Sequence, residues 1–195
     1  MGDDMIPARD LLETHLRASA GRDLGIQGRI EWDPDSEITD LMRFMAPEGP
    51  QFYFRGFKEG DRIPFSRIYG ANFSAPRQFF LEEPFDQHFH FACMEDTEMA
   101  WRWKKRGWTF LYSEQAKCVH NHRYDDLEDF LARQRRAGRE ARYCIRRHPG
   151  LFPTLFLFPA LQCLRLILRA PRGLKHKQRW DLQGRLAYLA WRRGL

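Results

Sequence analysis

The sequence predicts an α/β fold, and three observations support this prediction. Residues 24–32 alternate apolar and polar side chains as a strand does, and two short apolar runs follow at 108–112 and 116–120. Helical spacing of apolar residues occurs before, between and after these strands. The 195 residues, 43% hydrophobic and 30% charged, are enough for one domain with its own core and exclude a disordered or fibrous chain.

The N-terminal elements are predicted from local spacing. A first helix follows Pro7, a residue suited to a first helical turn, and carries Leu11, Leu12 and Leu16 at helical intervals. The strand that follows, "LGIQGRIEW", presents three large apolar residues to one face. These are Ile26, Ile30 and Trp32.

Residues 33–68 are rich in Pro, Gly and Phe and predict a long loop region, in which "QFYFRGF" (51–57) forms a short strand. A Gly-Ala-Asn turn at 70–72 then precedes a helix that begins at Ser74 or Pro76. The next helix is predicted over 96–106.

The boundaries of the helix at 96–106 follow from its composition. Met99 and Trp103 share one face, basic residues fill the last turn, and Gly107 suits the position after the helix. The strands "WTFLY" and "AKCVH" come next, separated by "SEQ".

Asp125 and Glu128, three residues apart, predict a capping box that opens a helix reaching about Cys144. Its inward-facing apolar residues are Leu127, Phe130, Leu131 and Ala141. We expect one domain over residues 1–148 and a separate segment over residues 149–195.

Residues 151–170 ("LFPTLFLFPALQCLRLILRA") are apolar enough to suggest a transmembrane helix. Two prolines interrupt the run, and Arg165 and Arg169 lie in its second half. An arginine near the middle of a bilayer costs roughly 2.5–3.5 kcal/mol on insertion scales, which disfavours a span. From Arg165 to the end, nine Lys or Arg stand against one acid, Asp181. We therefore expect residues 151–195 to form basic amphipathic helices on an anionic membrane surface.

The four cysteines form no CxxC pair, and the first residues, "MGDDMIPARD", do not resemble a signal peptide. These features indicate reduced thiols and a cytoplasmic protein, peripheral at the inner face of the cell membrane. Residues 133–195 are basic enough to suggest nucleic-acid binding as a rival function. Their arginines are spread around a helix and do not form one stripe, so we expect no nucleic-acid partner.

The segment "FACMEDTEMAWRWKKRGW" (91–108) contains a cluster of acids that includes Glu95 and Asp96. Acids in the first turn of a helix interact favourably with the helix dipole, by roughly 0.3–1 kcal/mol each. The same dipole favours an ionised Asp96, which could then accept a proton from a substrate hydroxyl. The cluster alone leaves both interpretations open. Trp101 lies on a different helix face from Trp103 and is a candidate to contact an acceptor.

Asp3 and Asp4 are adjacent ahead of the first helix. Neighbouring carboxylates repel and are tolerated when both are solvated or when a cation bridges them. Mg²⁺ or Mn²⁺ is the natural cation, because it binds one or two carboxylates together with substrate phosphates. His120 and His122 follow a strand and point to the same side, an arrangement found more often at a surface than in a metal site.

Five segments occur in order along the chain: "GDDMIPARDLLETHL", "GIQGRIEW", "FYFRGF", "YGANFSAPRQFFLEEPFDQHF" and "MEDTEMAWRWKKRGWTFLYSEQAKCVHNHR". In this order and spacing, from Gly2 to roughly Gly138, the chain resembles the family 2 glycosyltransferases of the GT-A fold. The resemblance implies a Rossmann-like domain that transfers a sugar, with inversion, from a nucleotide-sugar donor to a hydroxyl of a glycan or lipid-linked acceptor. It also implies dependence on Mn²⁺ or Mg²⁺.

The resemblance further implies roles for single residues. Asp4 matches the last Asp of the D-x-D metal motif, with Asp3 assisting, and His120 matches a histidine that helps to bind the metal. In the pair Glu95-Asp96, the aspartate matches the general base. The turn beside the transferred sugar is matched by Gly70, Asn72 and Ser74. We expect positions 4, 96 and 120 to meet around one cavity.

The chain departs from the family in two ways. Gly2 stands where the first Asp of D-x-D is expected, and the nucleotide-recognising half of the family, which precedes that motif, has no counterpart here. The resemblance therefore predicts a partial GT-A domain that lacks the N-terminal nucleotide-binding units. Such a chain would come from a truncated reading frame, would be one half of a split enzyme whose N-terminal half is separate, or would be a remnant. The alternative is a non-catalytic remnant or binding module of the same fold.

Overall fold

The computed structural model describes residues 4–47 and 49–190, and its mixed α/β architecture confirms the predicted class. The chain divides into two units. The first consists of Met1–Asp86 and Asp96–Arg123, and the second of Gln87–Glu95 and Tyr124–Leu195. This division differs from the predicted boundary at residue 148, because the long helix before that residue belongs with the C-terminal helices.

The first unit contains a four-stranded mixed sheet. Its strands are β1 (Met5–Pro7), β2 (Gly25–Trp32), β3 (Phe73–Ser74) and β4 (Phe110–His120), in the spatial order β1-β4-β2-β3. β2 and β4 are parallel, whereas β1 runs antiparallel to β4 and β3 antiparallel to β2. The carboxyl ends of the two central strands, at Trp32 and His120, therefore lie at the same edge of the sheet.

Four α-helices accompany this sheet. They are α1 (Leu11–Ser19), α2 (Asp40–Met45), α3 (Arg77–Glu82) and α4 (Glu95–Lys105). Short 3₁₀ helices span Phe65–Arg67 and Gly70–Asn72. Five of the predicted core residues are confirmed as buried, namely Ile26, Ile30, Trp32, Met99 and Trp103. Gly107 ends α4 with a φ of +86°, a conformation that favours glycine.

An ion-pair network holds α4 in place. Arg102 Nε donates to Glu98 at 2.8 Å, and the other side of its guanidinium donates to Glu83 at 2.7 Å. Glu83 also pairs with Arg106 at 2.9 Å. The hydrogen bond from Arg102 is the largest contribution that lowers the pKa of Glu83. Glu98 is buried and belongs to the same helix as Arg102, so the contacts that tie α4 to the rest of the unit are those of Arg102 and Arg106 with Glu83.

The described part of the second unit is mostly helical, with non-helical backbone over residues 87–94. It contains α5 (Leu127–Arg147), α6 (Phe158–Arg169) and α7 (His176–Leu189), with a 3₁₀ turn at Pro149–Leu151 and a π-helical turn at Pro153–Leu157. The predicted capping box at Asp125 is wrong. Asp126 caps α5 instead, because its Oδ1 accepts the Glu128 N–H at 2.9 Å.

The predicted strand "QFYFRGF" is also wrong. The chain turns here, with the Phe57 N–H donating to the Phe54 carbonyl, and the Tyr53 N–H donates to the Tyr69 hydroxyl at 3.1 Å. Phe52 and Phe54 are nevertheless buried. Aromatic side chains are thus packed inside although residues 51–57 form no strand and only Tyr53 makes an isolated bridge.

The first helix differs from the prediction at its start and on its buried face. α1 begins at Leu11, whereas Pro7 lies in β1. Leu12 and Leu16 are 79% and 73% exposed, because the helix turns a different face inward. That face carries Leu11, Thr14 and His15, which recur at three- and four-residue intervals.

β4 is one strand where the sequence predicts two, and its pairing with β2 shifts between Gly28 and Arg29. A side chain at Gly28 has no room at this irregularity. Its Cβ would lie 2.3 Å from Asn72 Nδ2 and 2.4 Å from the carbonyl oxygen of Ala116. The missing side chain therefore lets the amide of Asn72 reach the sheet backbone.

We predict that Gly28→Ala lowers the free energy of unfolding by about 2–4 kcal/mol, because the methyl group overpacks the site and displaces buried hydrogen bonds. Gly70→Ala is the matched control. Its Cβ would meet only Asp96 Cβ, at an ordinary 3.8 Å, and the expected loss is under about 1 kcal/mol. Urea unfolding followed by tryptophan fluorescence measures both variants. Equal midpoints for the two variants would contradict the proposed role of Gly28.

Candidate functional site

Asp4 and His120 lie together at the carboxyl edge of the sheet. Met5 pairs with His120 across β1 and β4, which brings the residue before β1 to the end of β4. The Nε2 of His120 is 2.9 Å from Asp4 Oδ2. The buried imidazole stacks on Trp32 with 5.2 Å between ring centroids, while the Asp4 side chain is 39% exposed. The pair therefore combines a fixed imidazole with a carboxylate that solvent can reach.

Asp96 is the second residue of α4, and its carboxylate is oriented by backbone donors. Oδ2 accepts the N–H of Gly70 at 3.1 Å, and Oδ1 accepts the N–H of Thr97 at 2.7 Å. The acid cluster and the Gly-Ala-Asn turn thus meet in the structure.

Aromatic contacts link the two parts of the site. Phe52 lies 5.4 Å from His120 and 5.3 Å from Tyr69, measured between ring centroids. Tyr69 directly precedes Gly70, the residue that donates to Asp96. Asp4 and His120 are therefore connected to Asp96 through packed rings and one turn of the backbone.

Arg67 adds a positive charge to this region. Its guanidinium lies 4.4 Å from the centre of the Tyr53 ring. Burial raises the pKa of the Tyr69 hydroxyl, an effect that Arg67 opposes and Asp96 reinforces. Sequence reasoning did not single out Phe52, Tyr69 or Arg67. The available signals were the aromatic run at 51–57 and the position of Tyr69 before the turn.

Asn72 and Ser74 face the interior of the unit. Asn72 is 2% exposed, and its Nδ2 donates to the carbonyl oxygens of Arg29 at 2.9 Å and Ala116 at 2.8 Å. Its Oδ1 lies 3.0 Å from His15 Nε2, and His15 Nδ1 lies 2.8 Å from Ser74 Oγ. These contacts hold the turn against α1 and both central strands.

The contacts of Asn72 fix the tautomer of His15. Because both Nδ2 hydrogens are donated to carbonyls, Oδ1 must be an acceptor, so His15 carries its proton on Nε2. Nδ1 then accepts the hydroxyl hydrogen of Ser74. Burial lowers the pKa of His15, an effect that the hydrogen bond to Asn72 partly opposes. His15, another residue that sequence reasoning missed, is therefore a neutral bridge at pH 7.

Gln27 holds the same turn from β2. Its Nε2 donates to the carbonyl oxygen of Asn72 at 2.9 Å, and its Oε1 accepts the N–H of Tyr69 at 2.6 Å. Gln27 is fully buried. Both ends of the turn that presents Gly70 to Asp96 are thus fixed by one side chain, which preorganises the carboxylate's position.

The remaining predicted residues take different positions. Glu95 is the half-buried first residue of α4. Trp101 packs against Phe65 with 5.1 Å between ring centroids and lies 5.3 Å from Lys104 Nζ. Phe65 and Lys104 also line a cavity of about 240 Å³, whose wall does not include Asp4, Asp96 or His120. Asp3 lies outside the described residues.

Within the described ranges, no three His, Cys, Asp or Glu side chains form a group that could hold a metal ion. Asp4 and His120 nevertheless supply a carboxylate and an imidazole in direct contact. This donor pair suits Mn²⁺ if phosphate oxygens and water complete the coordination. The chemistry of the donors thus fits a cation shared with a substrate.

Family models, curated proteins and solved structures were compared with the chain, and none of them matches it. The class of protein defined by fold and site is accordingly a mixed α/β protein with an oriented carboxylate and an Asp–His pair at one edge of its sheet.

We predict that the buried neutral His15 makes stability depend on pH. Its folded-state pKa lies below the ordinary 6.5, so its contribution to stability is complete above pH 6.5 and is lost as pH falls through the folded-state pKa. NMR titration of the His15 ring should give a value below 6.5. In urea unfolding, His15→Gln should flatten the loss of stability below pH 6.5, whereas His90→Gln, at an exposed position, should not. A His15 pKa at or above 6.5 would refute this assignment.

Proposed function

We propose that this chain carries the acceptor-side half of a GT-A glycosyltransferase, which transfers a sugar from a nucleotide-sugar donor to a hydroxyl acceptor with inversion. The observation that carries the proposal is the orientation of Asp96 by the Gly70 N–H, with the Asp4–His120 pair joined to it through Tyr69 and Phe52. Ligands of open α/β sheets bind outside the carboxyl ends of parallel strands. Asp4 and His120 lie at that edge.

Asp96 acts in the proposed mechanism as the general base. It accepts the proton of the acceptor hydroxyl while the hydroxyl oxygen attacks the sugar carbon that leaves the nucleoside diphosphate. The donors at Gly70 and Thr97 hold the carboxylate in one orientation, and the N-terminus of α4 favours its charged form. Glu95, beside it in the sequence, adds negative charge at the same helix end.

Asp4 and His120 are the residues that would hold Mn²⁺ or Mg²⁺, with Asp3 assisting. Such an ion supplies positive charge that stabilises the departing diphosphate. His120 is kept in position by its stacking on Trp32 and its contact with Phe52. Gly70, Asn72 and Ser74 form the turn beside the sugar, and the buried contacts of Asn72 and Ser74 give these two a positioning role.

A non-catalytic binding module of the same fold is the second candidate. It is favoured by one observation: Asp4 and His120 satisfy each other by a direct hydrogen bond. This module would retain the acceptor surface without binding a divalent cation tightly. Metal affinity therefore distinguishes the two candidates.

We predict that Asp96→Asn lowers the transfer rate by about 10²–10⁴-fold, the usual contribution of a general base. The asparagine keeps an oxygen that can accept the Gly70 N–H but cannot take the proton. The assay follows sugar transfer with the donor-binding half supplied in the same chain or as a second polypeptide, and calorimetry checks that donor binding persists. The control is Asp40→Asn, which removes an exposed carboxylate from the first turn of α2. Unchanged turnover of Asp96→Asn would remove this residue from the mechanism.

We predict that binding of the Mn²⁺–nucleoside diphosphate complex, measured by calorimetry with the donor-binding half supplied, weakens at least about tenfold in Asp4→Asn and in His120→Gln. Asp35→Asn, at an exposed position, should bind as the wild type does. Circular dichroism checks that His120→Gln is folded. If the wild-type chain binds no Mn²⁺, the binding module replaces the enzyme as the better interpretation.

A further inference from the structure

The helical stretch 149–169 carries most of the exposed large apolar side chains of the described chain. Of twelve exposed large apolar side chains, seven lie between Phe152 and Leu168. Six of these occur within residues 157–168, with exposed fractions between 43% and 65%. Soluble proteins rarely leave a contiguous apolar area of this kind without a partner.

These side chains form a row along one side of α6. Leu161, Leu164 and Leu168 recur at intervals of three and four residues, so they project from the same face. Phe158 and Ile167 widen the face on its two flanks. We call these five residues the apolar row.

The opposite side of α6 is packed inside its own unit. Cys163 is buried, Gln162 hydrogen-bonds Arg185 of α7, and Arg185 pairs with Asp181 at 2.8 Å. In the preceding turn, the carbonyl oxygen of Leu155 accepts the hydroxyl of Tyr188 at 2.6 Å. These polar contacts fix which side of α6 faces outward.

The same contacts bear on how the helix could meet a membrane. Pro149–Arg169 is long and apolar enough to cross a bilayer by length and composition alone, and 22% of its most apolar window is buried. A span would carry the charged Arg185–Asp181 pair on α7 into the hydrocarbon or separate α6 from α7. A helix that lies in the interface keeps this packing intact.

The charge of the segment indicates what covers the apolar row. No Asp or Glu occurs in residues 141–180, while residues 151–180 contain six Lys or Arg. Arg165 and Arg169 are exposed on α6 itself. A second copy of this chain would bring the same positive charges against the face, and like charges repel. Nucleic acid would complement the positive charges but would leave the leucines exposed to solvent.

We propose that the apolar row of α6 binds the surface of an anionic phospholipid bilayer. The leucines enter the boundary between headgroups and acyl chains, and Arg165 and Arg169 extend to the lipid phosphates. Apolar burial and charge attraction act together, as interfacial helices require. The inference goes beyond sugar transfer and does not depend on it.

The test is sedimentation of the full chain with vesicles of mixed phosphatidylcholine and phosphatidylglycerol, compared with vesicles of phosphatidylcholine alone. No nucleotide sugar is added, so the result is independent of catalysis. The wild-type chain should sediment with the anionic vesicles at physiological ionic strength, and high salt should weaken its binding. The double variant Leu164→Ser/Leu168→Ser should bind at least about tenfold more weakly. Arg165→Gln/Arg169→Gln should lose about fivefold per charge.

Matched controls come from the first unit. Leu12→Ser/Leu16→Ser removes two leucines that are more exposed than those of α6, and Arg55→Gln/Arg77→Gln removes two exposed arginines. Both controls should bind as the wild type does. No binding of the wild type to anionic vesicles would overturn the proposal, and so would equal binding of the α6 variants and their controls. Two other results would assign the face to another partner and would also overturn the proposal. One is a wild-type dimer that Leu164→Ser/Leu168→Ser converts to a monomer. The other is RNA binding without vesicle binding.

Discussion

The structure of the first unit depends on the buried amide of Asn72. Burying a primary amide is unfavourable unless its hydrogen-bonding groups are paired, and here both Nδ2 hydrogens reach carbonyls of β2 and β4 while Oδ1 accepts from His15 of α1. The observed position of the turn satisfies all these groups. Gly28 belongs to the same constraint, because any side chain there would occupy the space of the amide. Two strands, a helix and the turn therefore assemble as one polar unit inside an otherwise apolar core.

The consequence for the site is preorganisation. Gln27 fixes the turn at Tyr69 and Asn72, and Gly70 between them gives its N–H to Asp96. The carboxylate is thus held by groups whose own positions are determined by buried contacts, so little reorganisation is needed when a hydroxyl approaches it. None of these supporting residues needs to touch a substrate to matter for the proposed transfer.

Local rules predicted α4 well, since acids in the first turn, Met99 and Trp103 on one face and Gly107 after the end all act within a few residues. These rules failed where contacts with residues distant in the sequence determine the local structure. β1 was missed because its three residues pair with residues 118–120, far away in the sequence. The aromatic run at 51–57 looks like a strand, but its backbone is satisfied by a turn and by the Tyr69 hydroxyl. The pairing of His15 with Asn72 and Ser74 has no sequence signal beyond a polar residue on the inner face of α1.

The two donors at Asp4 and His120 have a chemical consequence for the proposed enzyme. A divalent cation of this class takes about six ligands, and two protein groups leave most positions to other oxygens. Phosphate oxygens of the nucleotide sugar would supply some of the remaining ligands. Cation and donor would then bind cooperatively, because each completes the other's site. The direct hydrogen bond between Asp4 and His120 opposes this binding, since it must be given up when a cation enters. We expect the affinity of the site for the cation alone to be weak. Tight binding of the cation would require the nucleoside diphosphate.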